Sequence, residues 1–202
     1  MTLWRGKEPL ILASQSRARQ MLLANAGIAF ESEPAGIDER RVQQESNLSE
    51  PAGIASLLAR EKSLFVSRER SGRYVVGADQ TLALGARLFS KPAGRAEAAE
   101  QLHALAGRSH ELYSAVAVAR DGKILFEKLA IARMSMRRLS EAEIVAYLEE
   151  AGATVTSSVG AYQLEGLGVH LFERIEGDHF TILGLPMLAL LEFLRSERLL
   201  GV

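Results

Sequence analysis

The stretch "YVVGADQTLALGARLFSKP", residues 74–92, decides how this chain is read. An apolar run reaches Asp79 and Gln80, and a second short apolar run returns to Lys91. The pattern predicts a buried strand that ends at Asp79, then a hairpin that carries Lys91 back. Strand ends that open to solvent are common mounts for catalytic side chains. A carboxylate and an ammonium brought together there suit an anion and an attacking water. They suit an ordinary ion pair equally well, and Asp79 alone also fits a turn cap.

Working outward, "PLILA" (residues 9–13) reads as a second buried strand. "SQSRARQMLLANAG" (14–27) follows as a helix, with Ser14 or Ser16 as N-cap and Gly27 as its stop. Backbone N–H groups at that helix start, two hydroxyls and the fork of Arg19 fit a phosphate, or the serines simply cap. A longer helix is expected from Ser49-Glu50-Pro51 to about Arg68, with Ile54, Leu57, Leu58, Leu64 and Phe65 as its apolar stripe. Lys62 lies four residues after Leu58, at the stripe's edge, where its stem is buried while its head reaches out. Asp38 and Glu39 offer two acids in a loop.

Further on, a helix is expected near Arg95–Ala106, then two long strands around an Asp121-Gly122 turn. Ser140 with Glu143 forms a capping-box pattern before "EAEIVAYLEEA". The Gly-studded run from Ser157 reads as loop plus strand, and Pro186 opens a closing helix. Glu165 interrupts an apolar, Gly-rich run there. The pattern as a whole is mixed α/β with a large, long-stranded sheet.

Composition narrows the chemistry. With 202 residues and 48% hydrophobic content, the chain fits one large domain or two small halves. A net charge of −1 argues against nucleic acid as a partner, so phosphate affinity must come from a local basic cluster. The absence of cysteine excludes disulfides, thiol catalysis and thiolate metal sites. The four histidines lack metal-ligand spacing, and no P-loop is present. No run approaches the ~20 apolar residues of a membrane span, and the N-terminal apolar run is too short for a signal peptide. A cytoplasmic location without membrane contact is the expectation.

The ordered set "LILASQSRARQMLLANAG", "DER", "LAREKS", "VVGADQTLAL…LFSKP", "LAGRSHELYSAVAV", "LSEAEIVAYLEEAG", "VGAYQLEGLG" and "FERIEG…ILGLPML" resembles the Maf family over nearly the whole chain. The resemblance implies a single domain over residues 1–202. Its fold would be an elongated mixed α/β sheet flanked by helices, with two lobes and a central cleft, similar to the inosine triphosphatase type. It also implies a nucleoside triphosphate pyrophosphatase, in which water attacks the α-phosphorus to give a monophosphate and pyrophosphate. On that resemblance Asp79 is the general base or organises the water. Ser14 and Arg19 hold the triphosphate, while Lys62 and Lys91 neutralise the leaving pyrophosphate. Glu39 places a divalent ion, Mg²⁺ or Mn²⁺. A homodimer is implied, and so is a role in septum formation through protein contacts.

The chain departs from the family pattern S-x-S-P-R-R, having Arg17 for the proline and Ala18 for the first arginine. Selectivity is implied to rest on Ala18, Gln80 and Glu165. Gln80 and Glu165 match the 7-methyl-GTP branch, and Ala18 matches neither that branch nor the dTTP and UTP branch. A carboxylate accepts two hydrogen bonds from a guanine edge and suits a positively charged methylated ring. The expected substrate is therefore 7-methyl-GTP. The alternatives are dTTP or UTP in the same family, a division regulator acting by contacts, or a nucleotide-binding module without turnover.

Overall fold

The computed structural model describes residues 3–201. In chain order its elements are β1 (Leu10–Leu12), α1 (Arg17–Asn25), β2 (Phe30–Ser32), α2 (Glu39–Ser46), α3 (Pro51–Glu69), β3 (Val75–Leu84) and β4 (Arg87–Phe89). There follow α4 (Arg95–Leu105), β5 (Ser109–Arg120), β6 (Lys123–Met136), α5 (Glu141–Ala151), β7 (Phe172–Glu176), α6 (His179–Ile182) and α7 (Met187–Ser196). The strands form one seven-stranded mixed sheet in the order β2-β1-β3-β5-β6-β7, with β4 on β3. β1 runs parallel to β2 and β3, whereas β4 is antiparallel to β3 and β7 to β6. The fold is mixed α/β, as the sequence pattern implies.

The chain divides into two compact units. One holds residues up to Gln80, Tyr113–Ala130 and the stretch from His179 onward; the other holds Thr81–Leu112 and Ile131–Asp178. No helix among the described residues is long and apolar enough to cross a membrane.

In the first unit β1 and the start of β3 are buried on both faces, which explains their uninterrupted apolar runs, whereas the edge strand β2 is largely exposed. Leu10, Leu12, Val76 and Ala78 meet Leu22 and Leu23 of α1 and Leu190, Phe193 and Leu194 of α7. Ile11, Ala13 and Val75 turn the other way, to Val66 of α3. Phe126 stacks on Phe193 with centroids 5.0 Å apart.

Helix α3 differs from its expected stripe. It buries Ile54, Leu58, Lys62 and Val66, and beside them the small residues Ala55, Ala59, Ser63 and Ser67. Leu57 and Leu64 are half-buried and Phe65 is exposed. Gly77 is the cause. A Cβ there would collide with the Ala59 carbonyl oxygen and lie 2.6 Å from the Ser63 nitrogen. The helix backbone therefore lies directly on the strand, a separation that only small side chains tolerate.

Strand β3 also runs through Asp79 to Leu84 rather than ending there, so Asp79 is a buried mid-strand residue. The hairpin is present, with Leu82 opposite Phe89. Asp121 and Gly122 take φ of 50° and 71°, the left-handed pair that a tight hairpin turn requires.

In the second unit α5 carries the expected capping box of Ser140 and Glu143. Gln101 of α4, buried, accepts the Gly160 N–H at 3.0 Å and donates to the Ser90 carbonyl at 2.9 Å. His110 is 1% exposed, its Nε2 lies 2.7 Å from the Tyr162 hydroxyl, and its Nδ1 has no partner.

Two predictions arise here. Gly77→Ala forces α3 off the sheet and should cost about 3 kcal/mol or more in urea unfolding. Burial pushes the His110 imidazole down to about 4, so the unfolded chain takes up the proton first as pH falls. Stability should thus be lost from about pH 6.5 downward and level off below about pH 4. Denaturant titrations at pH 7 and 4.5 should show about 2.5 kcal/mol of this loss in the native chain and its absence in His110→Gln.

Candidate active site

The site begins where β1 hands over to α1. The chain leaves the strand at Ala13 and turns through Ser14 and Gln15, so that Ser16 caps α1 by accepting the Arg19 N–H at 3.4 Å. Ser14 keeps a different task. Its Oγ accepts the Ser16 N–H at 3.2 Å and the Arg19 Nη1–H at 3.1 Å. Arg19 lies one turn into the helix and is folded back beneath the loop, only 9% exposed. Its Nη1 also donates to the Ala78 carbonyl at 2.8 Å, and its Nε to the Gly184 carbonyl at 2.8 Å.

This guanidinium is held by neutral oxygens. Burial draws its pKa down, and the nearby charges of Asp79 and Glu39 act against that. A buried cation tied only to neutral acceptors keeps strong affinity for an anion. Its contacts engage Nε and Nη1, which leaves Nη2 for a phosphate oxygen.

The second half of the site follows from Gly77. Because α3 lies on β3 there, Lys62, three residues beyond Ala59, comes over Asp79, two residues beyond Gly77. The Lys62 ammonium donates to Asp79 Oδ1 at 2.6 Å and lies 2.8 Å from Glu39 Oε1. Of the acidic pair in "DER", Asp38 accepts the Arg41 N–H and caps α2, while Glu39, the first residue of that helix, reaches Lys62. The two acids thus belong to a helix start rather than a loop. Burial lifts the Asp79 pKa above the usual carboxylate range, and Lys62 and Arg19 only partly oppose it. A carboxylate with raised proton affinity has the makings of a general base.

The structure therefore brings Ser14, Arg19, Glu39, Lys62 and Asp79 together in one unit. Gln80 and half-buried Ala18 belong to it as well, with the Gln80 amide hydrogen-bonded to Ser114 and to the backbone of α6. Lys91 and Glu165 belong to the other unit, and both are exposed. The backbone acceptors at Ala78 and Gly184 were invisible to side-chain reasoning. The signal for the second was a glycine placed just before Leu185-Pro186, and Gly184 has φ of +86°.

Among the described residues no group of three or more His, Asp or Glu is arranged to hold a metal. Glu39 and Asp79, however, each engage Lys62 through one named oxygen and keep the other. The remaining oxygen of exposed Glu39 would suit a small hard cation that takes its other ligands from water and phosphate.

Lys62→Met should leave Asp79 buried without its main partner, at a cost of about 3 kcal/mol. The raised carboxylate pKa sets the sign. The deficit is full above the folded-state pKa of Asp79 and shrinks as pH falls through it, because a neutral carboxyl needs no counter-ion. Paired unfolding curves at pH 7.5 and 5 check this.

With this geometry in hand, known proteins can be set beside it. Residues 9–197 match the Maf-like protein family. A "Nucleoside triphosphate pyrophosphatase" of Bradyrhizobium diazoefficiens is 68% identical over the full length of both chains. One with the same name from Rhodopseudomonas palustris is 66% identical, also over both full lengths. A "7-methyl-GTP pyrophosphatase" of Rhizobium meliloti is 49% identical over 192 residues, covering 94% of this chain and 96% of that one. Among solved structures, a HAM1 protein from Coxiella burnetii overlays 65% of this chain and 74% of its own with a TM-score of 0.42 and 18% identity. The matched span contains every residue of the cluster built above: this chain belongs to the Maf-like protein family.

Proposed function

We propose that this chain hydrolyses the α–β phosphoanhydride of nucleoside triphosphates and that its preferred substrate is 7-methyl-GTP. The observation that carries the reaction is the buried Asp79–Lys62 pair, with exposed Glu39 on the same ammonium, beside an arginine held by neutral acceptors. Relatives of high identity that carry the pyrophosphatase name support the same reaction.

In this reading Asp79 accepts the proton of the attacking water. The water oxygen bonds to the α-phosphorus, and the electron pair of the breaking P–O bond leaves with pyrophosphate. Phosphoryl transfer asks the protein mainly for position and charge, and cations on the non-bridging and leaving oxygens supply most of the stabilisation. Arg19 and the Ser14 hydroxyl hold the triphosphate, and Lys62 turns from the carboxylates to it. Glu39 would hold Mg²⁺ or Mn²⁺, which would supply further charge neutralisation to the phosphates. Lys91 enters on its chemistry, as a second ammonium for the leaving group.

The base preference rests on Glu165 and on the Rhizobium meliloti relative named for 7-methyl-GTP. A carboxylate receives the N1–H and N2 amino donors of guanine and favours the cationic methylated ring. A uracil edge sets carbonyl oxygens against it. With Ala18 in place of a large side chain, no stacking surface comes from α1, so selectivity is expected to be broad.

Pyrophosphate release should be measured for 7-methyl-GTP, GTP, dTTP, UTP, CTP and ITP with Mg²⁺. The expected result is 7-methyl-GTP first and a loss of about 10²-fold or more in Asp79→Asn. Leadership by dTTP and UTP would refute the reading of Glu165. An Asp79→Asn protein as active as the native chain would refute Asp79 as the base, and no pyrophosphate release from any nucleotide would refute the reaction itself.

A further inference from the structure

Asp79 and Gln80 are neighbours in sequence but leave β3 on opposite faces. Asp79 meets α3, whereas Gln80 meets α6. The Gln80 Nε2 donates to Ser114 Oγ at 2.8 Å, to the Ile182 carbonyl at 3.0 Å and to the Thr181 carbonyl at 3.1 Å. Two carbonyl acceptors on one atom identify it as the NH₂ end of the amide, and two protons serve three acceptors. Ser114, fully buried on β5, donates its own hydroxyl to the Thr181 carbonyl at 2.6 Å. Both side chains are thus spent on the backbone of one short helix.

That helix runs directly into Gly184, whose carbonyl accepts the Arg19 Nε–H at 2.8 Å. Gly184 takes a left-handed φ of +86°, and a Cβ there would lie 3.3 Å from Arg19 Nη2. A guanidinium is planar. Fixing its Nε on Gly184 and its Nη1 on Ala78 and Ser14 sets the plane, and with it the direction in which Nη2 points.

We infer that Ser114 and Gln80 are positioning residues for Arg19. They anchor the Thr181–Gly184 turn to β3 and β5, and the turn's last carbonyl aims the guanidinium at the triphosphate. This rests on the reading of Arg19 as a triphosphate-binding residue. It assigns the Gln80 amide to the phosphate end of the site, where its loss affects every nucleotide alike. A Gln80 that read the base would act on the ranking of nucleotides instead.

The test is steady-state kinetics on the nucleotide panel for Ser114→Ala, Gln80→Met, Arg19→Lys and the double variant Gln80→Met/Arg19→Lys. Ser114→Ala removes one hydroxyl and keeps the test available should Gln80→Met fold poorly. The expected result is a KM raised about tenfold in both positioning variants, equally for all nucleotides, with kcat within about threefold. In the Arg19→Lys background, adding Gln80→Met should raise KM by less than about twofold, because the arginine it positions is gone. A changed base ranking, or an undiminished Gln80→Met effect in the Arg19→Lys background, would overturn the inference while leaving Arg19 its role. If Arg19→Lys leaves KM unmoved, the triphosphate reading of Arg19 fails, and the inference falls with it.

Discussion

The rest of the site depends on how closely α3 approaches β3 at Gly77. Helices usually stand off a sheet by the length of their side chains. Here the backbone of Ala59 and Ser63 occupies the space that any side chain at position 77 would need. One consequence is compositional, since α3 carries the small residues Ala55, Ala59, Ser63 and Ser67 along its buried side. The other is chemical. At this short separation a lysine on the helix and an aspartate on the strand meet head to head at 2.6 Å, both nearly excluded from water. A longer standoff would let solvent between them, and the Asp79 carboxylate would lose the desolvation that raises its proton affinity.

Such burial is costly, and the molecule offsets it unevenly. Lys62 has two carboxylates, so its charge is well compensated. Arg19 has three oxygen partners that are all neutral, and its counter-charges stand further off. Desolvated charges with incomplete compensation are a poor way to stabilise a fold. They are an effective way to prepare a site, because the missing partner is then the ligand, and little reorganisation remains when it arrives.

Much of this was legible in the sequence. The βα unit at residues 9–27, the long helix bearing Lys62, the hairpin after β3, the paired long strands and the capping box follow from periodicity and turn chemistry that act within a few residues. The misread features are those in which distant segments override local preference. Asp79 looked like a strand end because a carboxylate is expensive to bury, and only the approach of α3 makes a mid-strand position tolerable. Phe65 looked like core because it keeps helical spacing with Leu58, yet Gly77 gives the core face to small residues. Glu39 read as one of two acids in a loop. Its neighbour Asp38 took the capping position, and that freed it for Lys62. The acceptors at Ala78 and Gly184 are main-chain atoms, which carry no residue-type signal.

The charge arithmetic of the proposed site explains why the base should be an aspartate locked to a lysine. With all four groups ionised, Arg19 and Lys62 balance Asp79 and Glu39, so the resting cluster is close to neutral. A triphosphate adds several negative charges and competes with both carboxylates for the ammonium. As Lys62 turns to the phosphates, Asp79 loses its nearest positive partner while it stays buried, and its proton affinity rises further. In the proposed reaction, substrate binding would thus strengthen the base at the moment a water needs to be deprotonated, without any movement of Asp79 itself. A solvated aspartate would lack this response, because water would screen the departing ammonium. Gly77, by holding α3 against the strand, keeps that water out.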